Sequence, residues 1–260
     1  MISIFKLRTV CGYIRGTQVA KFVGAKLNPR DGYENDVCIY VKMGARGGRK
    51  QWLDFLDGPK YIKHVKKNPD LGAIAVSRLE EEYLKNEIKN DVVFIPQQHV
   101  NFANVQRNRM GVTVAGWCGA RGCFEAFESE IRDALAKIDI ELKTCYDYHT
   151  RQDVIDFYAG IDIQIVWRMQ ANWNYMLKNP LKISNAGSFG IPTISKPEPC
   201  SVKEYGGCFC EATTMPELVE CAKRLKNDEA YYKNIADKAR ERARDYHINK
   251  VAERYKALDV

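Results

Sequence analysis

The chain has 260 residues, 45% of them hydrophobic and 28% charged, and its 40 Lys+Arg against 33 Asp+Glu give a net charge of +7. That length can bury one large core or two of about half the size, and no apolar run nears the ~18 residues of a membrane span. Nine cysteines without a Cys-x-x-Cys pair, four dispersed histidines and an early charge at Lys6 argue against a disulfide scaffold, a zinc site and a secretory leader. They point to reduced thiols in a cytoplasmic protein.

Residues 2–10 are rich in β-branched and aromatic side chains and predict a first strand. The turn at residues 11–16 holds Gly12, Arg15 and Gly16, which would let backbone N–H groups approach a ligand, and residues 17–24 follow as a helix. Residues 36–42 form an apolar central strand. Lys42 ends it, on the edge where open α/β sheets place ligands, and is a candidate catalytic cation. The glycine-rich segment after it carries Arg46, Arg49 and Lys50 ahead of Trp52. Three phosphate-reaching cations beside a stacking ring form a candidate nucleic-acid surface, with a solvated loop as the plain alternative. Strands at 72–77 and 91–96 flank a helix opened by a capping box at Ser77 and Glu80. The first sheet thus has about four strands. Polar residues 97–109 read as a linker, dividing the chain into a first domain over 1–106 and a second domain over 107–260.

The second domain restarts with a strand at 111–116 and a turn containing Gly119, Arg121 and Gly122. Its glycine spacing is not the dinucleotide fingerprint of an oxidoreductase. Residues 124–138 show helical periodicity, and 161–167 form a central strand ending at Arg168. Pro180 then opens a short helix that Gly190 and Pro192 close, ahead of a strand at 192–195. Lys182, Ser184 and Asn185 fall in that helix, whose N-terminal end attracts phosphate. Charged helices complete the chain.

Together, residues 91–96, 153–167 and 181–198 resemble GT-B glycosyltransferases. The resemblance implies an α/β fold of two Rossmann-like parallel-sheet domains facing a cleft, with a C-terminal helical tail. It implies a nucleotide-diphosphate sugar as donor, a UDP-sugar being expected, without a metal. Arg168 and Lys182, with Lys42, would then act on the reacting groups. Gly12, Arg15, Gly16, Gly119, Arg121, Ser184, Asn185 and Glu198 would contact the donor. Where many retaining members carry a glutamate on this helix the chain has Asn185, which leaves the ribose contact and the base open.

Residues 1–110 hold 19 Lys+Arg against 11 Asp+Glu, and the remainder 21 against 22. This surplus of +8 in the first domain, with Arg46, Arg49, Lys50 and Trp52, predicts DNA as acceptor partner. The chain is similar to viral glycosyltransferases that decorate hydroxymethylated pyrimidines, which implies 5-hydroxymethylcytosine in DNA and a host-cytoplasmic location. A glycan or lipid-linked acceptor, or a non-catalytic nucleotide-binding protein, is the alternative.

Overall fold

The computed structural model describes residues 1–56, 59–107, 110–168 and 176–259. The chain divides into two compact units: Met1–Gln98 with Asn172–Asn179 and Tyr246–Val260, and His99–Ala171 with Pro180–Asp245. The first unit therefore ends before the anticipated boundary at 106 and also recruits the tail of the chain. Recounted on these bounds it holds 21 Lys+Arg against 13 Asp+Glu, leaving 19 against 20 for the second. The +8 surplus survives the redrawn boundary.

In the first unit, β1 (Ile2–Lys6) leads into a π-helical turn, Gly12–Gln18, and α1 (Val19–Val23), then to β2 (Lys26–Leu27) and β3 (Val37–Val41). β4 (Lys50–Asp54), α2 (Ile62–Lys66), β5 (Leu71–Ala75), α3 (Arg78–Glu87) and β6 (Val92–Phe94) follow. The sheet has six parallel strands in the order β2-β1-β3-β4-β5-β6, two more than expected. β2 is only two residues long. β4 reads Lys-Gln-Trp-Leu-Asp, a half-polar sequence whose strand character comes from burial of Trp52, Leu53 and Asp54 between β3 and β5. β3 and β5 are buried at every position, as apolar runs in a parallel sheet should be. At α3, the Ser77 hydroxyl accepts from Glu80 N–H at 3.1 Å, while Glu80 Oε2 accepts from Val76 N–H at 2.7 Å. The cap forms, displaced by one residue from the usual reciprocal pair.

The second unit carries β7 (Val114–Cys118), α4 (Glu125–Ala136), β8 (Glu141–Cys145), α5 (Arg151–Ala159) and β9 (Ile163–Val166). It continues through α6 (Leu181–Ser188), β10 (Thr193–Ser195), α7 (Pro199–Tyr205), β11 (Cys210–Glu211), α8 (Met215–Asn227) and α9 (Glu229–Ala243). Its five parallel strands run β11-β10-β9-β7-β8. Capping boxes start α5 at Thr150/Asp153 and α8 at Thr214/Glu217. Asp162, fully buried before β9, accepts from Thr113 and Val114 N–H at 2.7 and 2.8 Å and pairs with Arg107. This ties the start of β7 to the start of β9.

α10 (Ile248–Lys256) belongs to the first unit because its buried face, Ile248, Val251, Ala252 and Tyr255, packs on α1. Beneath it lies a wholly buried ion pair. Arg15 Nε donates to Asp54 Oδ2 at 2.8 Å, and both side chains are 0% exposed. Arg15 Nη1 donates to the carbonyls of Ile95 and Pro96 at 3.0 and 2.6 Å, and Tyr255 Oη donates to Asp54 at 3.0 Å. Burial alone would lower the Arg15 pKa; Asp54 outweighs it and holds the guanidinium above its ordinary value.

Removing one member of such a pair strands the other charge in the core, at about 3–5 kcal/mol. Asp54→Ala and Arg15→Ala are expected to cost that much in urea unfolding, and Arg15→Met/Asp54→Leu together clearly less than the sum of the single changes. Two independent, additive losses would show that the pair is not coupled.

Candidate donor-binding site

In the second sheet the chain moves from β7 out to β8, then returns past β7 to β9. An open α/β sheet binds ligands outside the carboxyl ends of strands at such a reversal. Here β7 ends at Cys118, and Gly119 follows with φ 152°, backbone that favours glycine. Its N–H donates to Cys145 O at 3.0 Å. A Cβ on Gly119 would sit 2.6 Å from Lys182 Nζ. The bare glycine is what lets the ammonium of α6 reach the end of β7, where it donates to Cys118 O.

Lys182 lies 4.5 Å from the Trp117 ring centre, and Lys196, just past β10, lies 4.6 Å from that of Trp167. Arg121 stands 4.4 Å over the Tyr146 ring. Each of the three neighbouring strands β7, β8 and β9 thus supplies, at or just past its carboxyl end, an aromatic face on which a cation rests. The shelf is braced from within: Trp117 stacks on Phe124 at 4.8 Å, and Tyr146 donates to Glu128. Burial pushes the Cys118 thiol up to about 12, with Lys182 pulling the other way, and also raises Cys145. Burial thus disfavours the reactive thiolate form of both cysteines.

α6 begins at Pro180 without a side-chain cap and without an acidic residue in its first turn. It is pressed against α9 at Gly187, where a Cβ would lie 2.6 Å from Ala239 O. A helix N-terminus carries partial positive charge suited to an anion. Among the described residues no group of three or more His, Cys, Asp or Glu could hold a metal ion.

The structure separates the anticipated residues. Gly119, Arg121 and Lys182 come together on this edge, and Lys196 joins them without having been singled out. A basic residue directly after a predicted buried strand was the signal available for it. Arg168 is also on the edge but forms a two-point ion pair with Glu198, so its charge is balanced and Glu198 is engaged as its partner. Ser184 and Asn185 are on the buried side of α6; Ser184 is 0% exposed, and Asn185 Oδ1 accepts from Val100 N–H at 2.8 Å. Asn185 ties the helix to the segment at Val100, and both side chains face inward.

In the first unit, Gly12, Arg15 and Gly16 do not form a ligand-facing loop. They lie in the π-helical turn, with Arg15 inside the core and Gly16 against the Lys6 side chain, where a Cβ would be 2.7 Å from Cγ. Lys42 ends β3 as expected, with φ 57° and its ammonium 3.9 Å from Cys11 Sγ. The anticipated nucleic-acid surface divides. A connection between parallel strands crosses the sheet, so Arg49 and Lys50 lie at the amino end of β4, with Arg46 on the way there. Arg49 pairs with Asp259. Trp52 is 4% exposed and covered by Lys50 at 5.6 Å, so it offers no stacking face.

No protein-family model matches the chain, and neither does any curated protein. Solved structures do. The chain is similar to WaaG, a glycosyltransferase involved in lipopolysaccharide biosynthesis, with a TM-score of 0.71 and 10% identity over 100% of both chains. It is also similar to a glycosyltransferase from Rickettsia africae, at TM-score 0.64 and 13% identity over 99% of this chain and 97% of that one. HepE of Anabaena, solved with UDP and glucose, gives 0.59 and 12% identity over 96% and 82%. At these identities the likeness speaks for architecture: the chain has the GT-B fold, two parallel-sheet α/β domains with a C-terminal helix.

Proposed function

We propose that the protein is a glycosyltransferase using a nucleotide-diphosphate sugar, with UDP as the nucleotide. The observation that carries this reading is the cationic shelf of Arg121, Lys182 and Lys196 on aromatic rings beside the start of α6. In glycosyl transfer the bond from the anomeric carbon to the diphosphate breaks, and one to an acceptor oxygen forms as that hydroxyl gives up its proton. Negative charge grows on the departing diphosphate. Fixed ammonium and guanidinium groups already in place stabilise it without reorganisation, the work a divalent ion does in other sites. The UDP complex of HepE supports the same donor class.

For the acceptor, a glycan-bearing molecule now has better support than DNA. WaaG is involved in lipopolysaccharide biosynthesis, and HepE was solved with UDP and glucose. The DNA reading, with 5-hydroxymethylcytosine as target, keeps the +8 surplus of the first unit. It loses Trp52 as a stacking ring and Arg49 to its ion pair.

Lys182→Ala and Lys196→Ala are expected to weaken UDP binding by roughly ten- to a hundredfold in calorimetry, as the loss of one charge-assisted contact does. Gly119→Ala should do the same with no charge removed, since its methyl group meets the Lys182 ammonium. UDP affinity unchanged in all three would sink the assignment. Transfer, measured as UDP release from UDP-sugars with candidate acceptors, should persist in EDTA; full loss restored by Mg²⁺ or Mn²⁺ would contradict the proposed handling of the leaving group. Duplex DNA with and without hydroxymethylcytosine, run beside glycan acceptors, decides between them by the mass of the product.

A further inference from the structure

The amino end of the first sheet carries a pocket that the donor reading does not use. Open α/β sheets bind ligands outside the carboxyl ends of their strands, whereas this pocket opens at the starts of β4, β5 and β6. Residues 49–52, 69–72 and 89–91 supply its lining, one run per strand. Its volume is about 410 Å³, within the roughly 300–1,000 Å³ of small-ligand sites.

The walls are fixed. Asn90 Nδ2 donates to the carbonyls of Asn68 at 2.8 Å and Leu71 at 3.1 Å, and Ala73 N–H donates to Asp91 O at 2.8 Å. Trp52 pairs with Gly72 in the register, and a Cβ on Gly72 would lie 2.4 Å from the indole. The ring is seated where a side chain is missing. Its Nε1–H is buried, with no hydrogen-bond partner among the described residues. A buried donor of this kind asks for an acceptor.

Charge decides the ligand class. Arg49 is engaged with Asp259, and Lys89 follows α3, where it also offsets the negative end of that helix. Lys50 and Lys89 are then balanced by Asp70 and Asp91 in the same lining. A nucleic acid or a free phosphate would meet two carboxylates, and a cationic ligand two ammonium groups. Hydroxyl groups, which both donate and accept, suit all four. Lys50 covers the Trp52 ring at 5.6 Å, so recognition here is by hydrogen bonds and not by stacking.

We propose that this pocket binds a neutral saccharide. Asp70 and Asp91 accept from its hydroxyls, Lys50 and Lys89 donate to its oxygens, and Trp52 Nε1–H donates to one more. The pocket is a carbohydrate site separate from the donor edge, and it holds whether or not the chain transfers a sugar.

The test follows the indole N–H resonances of the isotopically labelled full chain during titration with glucose, galactose, mannose, N-acetylglucosamine, maltose and cellobiose. Trp52→Phe identifies the Trp52 signal among the four tryptophans. At least one of these sugars should move that signal saturably. Asp70→Ala/Asp91→Ala, whose amide spectrum shows whether it is folded, should weaken the response about tenfold or more. A Trp52 signal unmoved by every sugar, or moved equally in the folded double variant, overturns the site. So does a response to inorganic phosphate with the sugars inert. UDP titrated into the wild-type sample reports the donor reading separately, so either can fail alone.

Discussion

The first unit depends on one ion pair that has no access to water. A guanidinium and a carboxylate both removed from solvent each carry a desolvation cost of several kcal/mol, which attraction recovers only when geometry and surrounding hydrogen bonds are good. Arg15 and Asp54 meet most of that condition through two backbone carbonyls and the Tyr255 hydroxyl. The groups that satisfy them come from the turn after β1, the end of β4, the segment after β6 and α10. Four pieces far apart in sequence must therefore be in register before the charges are compensated. Such an arrangement disfavours alternative packings more than it adds stability.

The same pair explains why the tail from Tyr246 onward belongs with the first residues. α10 carries a narrow apolar face, and one of its residues, Tyr255, closes the hydrogen-bond set of Asp54 while its ring lies 5.3 Å from the Arg15 guanidinium. The sequence shows α10 as a charged helix of the second domain. Nothing in its spacing says which core its apolar face will find.

Legibility followed a physical line. Strands buried on both faces, β3, β5, β7 and β9, were visible as apolar runs, and α6 was visible through Pro180 and Gly190. β4 was not, because its buried Asp54 and its Lys-Gln start imitate a loop. Arg15 between two glycines imitates a phosphate-gripping turn, since sequence alone cannot show that the guanidinium has a carboxylate waiting 39 positions later. Trp52 after three cations imitates a stacking platform for the same reason: its burial comes from Gly72 on the paired strand, whose missing side chain leaves space for the indole. In the second unit Lys182 stands near the start of α6, a place that Pro180 makes visible in the sequence. Ser184 and Asn185 lie on the buried face of α6, and the spacing from Pro180 does not show which face packs inward.

The two sheets share one topological device. Each reverses direction once, and each offers a strand-end turn there held by a glycine that tolerates no side chain. At Gly119 the vacated volume admits an ammonium, which turns the edge of the second sheet cationic. At Gly12 it admits only the backbone of Leu7, which tightens the turn. The space beside the glycine is thus filled by a charged side chain in one case and by main chain in the other. A fold shared at 10% identity can therefore be built from unrelated residues, because the strand order depends on which runs are buried and not on the side chains at the strand ends.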